Sequence, residues 1–228
     1  MATRYFSKAT FDFLSELAEN NERSWFDSNR KRYEAHLKEP ALDFIDDFRP
    51  QLTAISPRFE ANARASGGSL FRINRDTRFG KDKTPYKTNS GLHFRHERAK
   101  DVHAPGFYLH IEPRGCFAGA GLWHPEPAMA QVIRTHISEH RDQWLAIVED
   151  SVLAARFTRA GDSLTRPPKG FAKDDPLIED LKRKDFLVMR SLTQRELTSA
   201  SLLDDFAELC GHTAPFMRFL CQALDLAF

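Results

Sequence analysis

Two runs decide the fold. Residues 107–112 read Phe107-Tyr108-Leu109-His110-Ile111-Glu112, and residues 116–123 read Cys116-Phe117-Ala118-Gly119-Ala120-Gly121-Leu122-Trp123. Between them stands Pro113-Arg114-Gly115, a turn composition. The first run alternates apolar and polar residues with a period of two, as a half-buried strand does. Phe107, Leu109 and Ile111 share one face, and Tyr108, His110 and Glu112 share the other. The second run is therefore its antiparallel partner.

Outward from this hairpin, Leu92-His93-Phe94-Arg95 alternates in the same way, and Phe186-Leu187-Val188-Met189 has the composition of a further strand. Strands are expected near 70–79, 91–96, 106–112, 116–123 and 185–190. The first 55 residues follow the helical period instead. Phe11, Leu14 and Leu17 mark a first helix, Trp25, Phe26, Tyr33 and Leu37 a second, and Leu42, Ile45, Phe48 and Leu52 a third opened by Pro40. Pro50 is expected to kink or end that third helix. A long helical stretch follows His124-Pro125-Glu126-Pro127. Residues 161–176 read as loop, Leu177 to Lys184 as a short helix, and the tail from Ser201 as helix interrupted near Gly211 and restarted by Pro215. The fold class is α+β: a mostly antiparallel sheet flanked by N-terminal and C-terminal helices. The expectation is one domain over 1–228, with the helical part at about 8–55 packed on the sheet.

Composition narrows the function classes. The chain has 228 residues, with 33 Lys and Arg against 32 Asp and Glu, a net charge of +1. That balance argues against a protein that coats polyanions generally. The longest nearly apolar run, Cys116 to Trp123, is far too short to span a bilayer. The first eight residues hold no apolar stretch, and Cys116, Cys210 and Cys221 are widely spaced without a C-x-x-C pair. These features lead us to expect reduced thiols, no signal peptide, no membrane and a cytoplasmic location.

Charge is unevenly spread. Residues 71–88 hold Arg72, Arg75, Arg78, Lys81, Lys83 and Lys87 with only Asp76 and Asp82, a local charge of +4, while the other 27 basic and 30 acidic residues leave −3 elsewhere. An extended chain would place Phe71, Ile73, Thr77 and Phe79 on one face and Arg72, Asn74, Asp76 and Arg78 on the other. Asp76 would then lie between two guanidiniums, stay ionised and orient them.

The pattern Arg72-x-x-Arg75-Asp76-x-Arg78-Phe79, followed by Asp82-Lys83-x-x-Tyr86, resembles the hallmark of the domain of unknown function 2461 family, bacterial proteins of about this length. Trp25-Phe26 with Tyr33, the stretch Gly119 to Pro125, and Pro168-Lys169-Gly170-Phe171 are similar to it as well. The resemblance runs over nearly the whole chain, departs at none of its charged positions, and implies no activity.

Arg forks hold carboxylate or phosphate in two-pronged fashion, and Lys adds a point charge. Two acids cannot neutralise six bases, so the segment predicts a site for a small phosphorylated or carboxylated ligand. The residues assigned to it are Arg72, Arg75, Asp76, Arg78, Lys83, Tyr86 and Lys87, with Tyr86 and His110 as candidates for proton transfer. Two alternatives stand beside it: nucleic-acid binding by residues 70–100, which carry +6, and an ion-pair network with a purely structural role. If Asp76 is buried with its partners, its removal should cost more stability than that of Lys81. No cofactor is implied, and no metal site is assigned. His93, His96, His103, His110, His124, His136 and His140 leave open whether any of them converge. Oligomeric state, substrate and reaction do not follow from the residues.

Overall fold

A computed structural model describes residues 5–78, 81–98 and 104–228. Helix α1 (Lys8–Glu19) and helix α2 (Arg23–Tyr33) form an N-terminal hairpin, and α2 runs through a wider π turn at Glu34–Lys38 directly into α3 (Glu39–Ile55). The wider turn presents the His36 carbonyl to the Thr10 hydroxyl, 2.7 Å away, which ties α1 to it. Pro50 neither ends nor replaces the last turns of α3. Phe44 and Phe48 pack on Phe206, and Phe48 also meets Phe94 at 4.8 Å. That burial, with Leu52 buried on the far side of the proline, outweighs the one backbone bond it forfeits.

The sheet consists of β1 (Ser90–Arg95), β2 (Gly106–Ile111), β3 (Phe117–Leu122), β4 (Thr158–Ala160) and β5 (Phe186–Ser191), antiparallel throughout in the order β1-β2-β3-β5-β4. The 107–112 and 116–123 runs pair as the alternation predicts, with Tyr108 opposite Gly119 and Leu109 opposite Ala118. β4 has three residues, two of them exposed, too short for its pattern to be read in the sequence.

Between β3 and β5 come α4 (Pro127–Glu139), α5 (Arg141–Val148), α6 (Ser151–Arg156) and the short α7 (Ile178–Leu181). After β5, the one-turn α8 (Gln194–Leu197) leads to α9 (Leu202–Ala223). The tail is one helix, not two. Gly211 and Pro215 both lie on the exposed side of the helix, where a backbone carbonyl left without its helical donor is open to solvent, while Phe206, Leu209, Cys210, Thr213, Phe216 and Leu220 keep one buried stripe running past them. α9 lies against β3, whose inward residues Ala118 and Ala120 are small enough to admit it.

One face of the sheet (Leu92, Phe94, Phe107, Leu109, Ile111, Leu122, Phe186, Val188) joins Phe6, Phe13, Phe44, Phe48 and the stripe of α9 in a continuous core. On the other face, among the described residues, Tyr108, His110, Phe117 and Met189 line a groove with Phe71 from the 70–79 segment at one end. The segment expected as a strand at 70–79 is reduced to two bridges, Leu70 with Leu92 and Asn74 with Tyr86, separated by a bend at Ile73. Ile73 is drawn into the core while Phe71 falls on the open face, so the predicted common face of the two does not form. Phe79 lies outside the described residues. No helix among those described is long and apolar enough to cross a membrane.

Candidate functional site

The basic segment closes a small loop of its own. Arg75 N donates to Pro85 O and Lys87 N to Ile73 O, so residues 73–75 run beside 85–87. Within the loop Arg75 pairs with Asp82 and donates to the Thr84 hydroxyl. The Thr84 amide and then Arg75 hold the Asp82 carboxyl down to about 2. Arg78 grips Asp76 in two-pronged fashion, Nε to Oδ1 at 3.0 Å and Nη2 to Oδ2 at 2.7 Å, which holds that carboxyl well below its usual range. This pair is exposed, and the Arg72 guanidinium adds a weaker pull on the same carboxylate. Lys83 Nζ donates to Thr77 O at 2.8 Å. Tyr86 is buried and stacked on Phe26, ring centroids 4.1 Å apart.

Arg72 and Lys87 behave differently. Among the described residues neither has a carboxylate within ion-pair distance. Lys87 is half buried, and its ammonium lies 5.3 Å from the centroid of the Phe71 ring. Burial and the nearby Arg72 push its pKa below the usual lysine range.

The Phe71 ring connects this loop to the open sheet face. It meets His93 edge-on at 5.8 Å and leans on Tyr108 at 5.9 Å. From there a groove of about 430 Å³ runs across the sheet over Tyr108, His110, Phe117 and Met189 to Trp123. The strand pairings explain its shape. Gly119 stands opposite Tyr108, and Gly106 opposite Gly121, so aromatic rings alternate with positions that have no side chain. At Gly106 the space a Cβ would take is filled by the His93 ring, 2.2 Å from Nε2. Gly121 has φ +132, and a Cβ there would stand 2.0 Å from the Phe186 carbonyl oxygen.

Polar groups in the groove are few and directed. His93 is 8% exposed, and its Nδ1 has no hydrogen-bond partner. Burial drives its pKa down to about 3, so the ring is neutral. The Tyr108 hydroxyl is 3.1 Å from His110 Nδ1, and His110 Nε2 is 3.2 Å from Glu112 Oε2. With Glu112 ionised, Nε2 carries the proton and Nδ1 accepts from the tyrosine. His110 is stacked on Phe117 at 4.6 Å, and its burial lowers its pKa against the opposing pull of Glu112. Burial, then Glu112, raises the Tyr108 phenol to about 12. The period-two alternation placed these three side chains on one face correctly, and His110 is the only one of the two proton-transfer candidates that lines the groove.

At the far end, His124 is tied to Asp185, which no local pattern singles out because its partner is 61 positions away. His96 bonds through Nε2 to Ala227 O, which anchors the C-terminus, and His136 lies against His140 with ring centroids 4.2 Å apart. His103 is outside the described residues. Among those described, no three His, Cys, Asp or Glu side chains converge in a way that would hold a metal ion.

The fold defines an α+β protein with one helix-backed antiparallel sheet whose other face carries a groove. The chain matches, over residues 9–219, the family described as conserved hypothetical protein (DUF2461), and it belongs to that family. No curated protein compared with it is a match.

Proposed function

We propose that the protein is a cytoplasmic binder of small anionic ligands. The apolar, planar body of the ligand occupies the sheet-face groove, and its carboxylate or phosphate meets Lys87 and Arg72. One observation carries this reading: a half-buried lysine with no carboxylate partner among the described residues rests on the ring that forms one end of the groove. A buried cation without a counterion is costly, and a ligand anion at that position removes the cost. The groove volume lies in the range of small-molecule sites, and its lining of rings with a few fixed polar groups is their usual make-up. Arg75, Asp76, Arg78 and Lys83 shape the loop that presents Lys87, and Tyr86 anchors it to the core.

The test compares 6-hydroxynaphthalene-2-carboxylate with neutral 2-naphthol by titration calorimetry. The carboxylate should bind about tenfold more tightly, a difference of about 1.4 kcal/mol, and Lys87→Met should abolish that preference. Equal affinity for the two compounds, or an unchanged preference in Lys87→Met, defeats the proposal. Affinity for the carboxylate should fall with salt at a slope of about one ion. Tight binding of a single-stranded oligonucleotide, with a slope of several ions, would favour the nucleic-acid reading of residues 70–100 instead.

A further inference from the structure

At the Phe71 end of the groove, three side chains form a hydrogen-bonded chain with a fixed direction. Tyr108 and His110 alternate on β2, and Glu112 follows directly after its last residue. The Tyr108 hydroxyl is 3.1 Å from His110 Nδ1, and His110 Nε2 is 3.2 Å from Glu112 Oε2. A carboxylate only accepts, so Nε2 carries the ring proton. Burial keeps the imidazole neutral at pH 7, so Nδ1 holds a lone pair and takes the tyrosine proton. Donation therefore runs one way, from tyrosine to histidine to carboxylate. The Tyr108 oxygen stands at the open end. Its one proton is committed to His110, and among the described residues it has no other hydrogen-bond partner. It can accept a bond from a ligand but has no proton to give.

This acceptor lies beside the ring that Lys87 touches. The Phe71 amide donates to the Gly91 carbonyl at 2.9 Å, and the space a Cβ would take at Gly91 is filled by the Tyr108 hydroxyl. The Phe71 ring centroid is 5.9 Å from that of Tyr108 and 5.3 Å from the Lys87 ammonium. Acceptor and ammonium thus neighbour one ring at one end of the groove. Phe71, Tyr108, His110 and Phe117 all line that end, and the stacking of His110 on Phe117 holds the imidazole in place. His93 is the other polar side chain there. It is neutral, and no hydrogen bond among the described residues fixes which of its nitrogens is protonated, so it imposes no direction.

We propose that the groove selects planar aromatic acids whose ring carries an N–H or O–H group. The ring donor bonds the Tyr108 oxygen, and His110 and Glu112 are positioning residues that keep this oxygen an acceptor. The inference rests on the groove reading above and narrows its ligand class. A ring oxygen at the same place would set lone pair against lone pair and leave two acceptors unpaired. Selection is then by hydrogen-bond direction, not by shape.

The test compares indole-5-carboxylate with benzofuran-5-carboxylate by titration calorimetry. The two share one shape and one anion, so the contributions of Lys87 and of the apolar lining cancel between them. They differ in one ring position, an N–H against an oxygen. The indole should bind roughly tenfold more tightly. Tyr108→Phe keeps the ring and should bring the two affinities within about twofold of each other by weakening the indole alone. The Glu112 side chain is 39% exposed, so Glu112→Gln tests the direction of the chain without disturbing the core. An amide can donate to Nε2 as well as accept from it, which lets Nδ1 carry the proton and frees the tyrosine to donate. The preference for the indole should then shrink to about threefold or less. A role of Glu112 in stability alone would weaken both compounds alike and leave their ratio unchanged. If both compounds bind the wild type equally, or if the full preference survives in Tyr108→Phe or in Glu112→Gln, this proposal falls alone. If neither compound binds, the groove reading falls and takes this one with it.

Discussion

The side-chain amide of Asn21 bonds both backbone groups of Tyr86: its Nδ2 donates to the Tyr86 carbonyl at 2.9 Å, and its Oδ1 accepts from the Tyr86 amide at 3.0 Å. The two residues are 65 positions apart, and the pair fastens the basic loop to the turn between α1 and α2. Asn21→Ala strands two partly buried backbone groups, at a cost of roughly 1–3 kcal/mol each if water does not replace the amide. Urea denaturation should show a lower midpoint for Asn21→Ala than for Asn20→Ala, since the Asn20 side chain is exposed and bonds within its own helix end. Equal midpoints would mean that the loop is held by something else.

Tyr86 itself is fixed by packing. Its ring stacks on Phe26, which also meets Tyr33 and Phe13. Tyr86→Ala should cost about 3–5 kcal/mol, the range for deleting a large buried ring, whereas Tyr86→Phe keeps the ring and should stay within about 1 kcal/mol of the wild type. A large loss in Tyr86→Phe, read by the same denaturation, would assign the hydroxyl a bond that the packing does not require.

The Asp76 pair is expected to contribute nothing measurable to stability. Asp76 and Arg78 are both exposed, and such pairs are screened by solvent and salt. Asp76→Ala and Lys81→Ala should therefore melt at the same temperature in physiological salt. A clear drop for Asp76→Ala alone would show that the carboxylate organises the loop.

His93 makes a pH prediction whose sign is fixed. Its pKa is about 3 when folded, against 6.5 for an unperturbed imidazole. Between those values the unfolded chain binds a proton that the folded chain refuses, so stability is full above pH 6.5 and falls as pH drops. The slope is about 1.4 kcal/mol per pH unit. His110 is shifted in the same direction and adds to the trend, so the informative quantity is the difference between wild type and His93→Phe. Denaturation at pH 7, 6, 5 and 4 should give a shallower decline in the variant; parallel curves would contradict a neutral His93.

What the sequence made legible follows from the range of each interaction. Tyr108, His110 and Glu112 share a face because a strand has period two, and nothing distant is needed to see it. Residues 70–79 alternate just as well, yet they do not form a strand: alternation states which way side chains point, not whether a neighbouring backbone is there to bond. Pro50 and Gly211 misled for the opposite reason, since local propensity is weak beside the burial of Phe48 and Phe216. The contacts between Asn21 and Tyr86 and between His124 and Asp185 join chain segments more than 60 residues apart. No local pattern announces them, and only the folded chain brings them together.

The groove floor can be probed without touching its polar groups. Gly106 has an ordinary backbone conformation, so an alanine there is limited by space alone, and its methyl would stand 2.2 Å from His93 Nε2 and 3.1 Å from the Phe94 carbonyl oxygen. Gly106→Ala must push the His93 ring out of its buried position, and overpacking of this kind costs about 1–3 kcal/mol. Removing the ring first takes the clash away. The double variant Gly106→Ala with His93→Ala should then be more stable than the sum of the two single losses by about 1 kcal/mol or more, the size of coupling seen between residues in contact. Additive losses in a denaturation cycle would place the His93 ring elsewhere than over Gly106, and the narrow end of the groove would have to be redrawn.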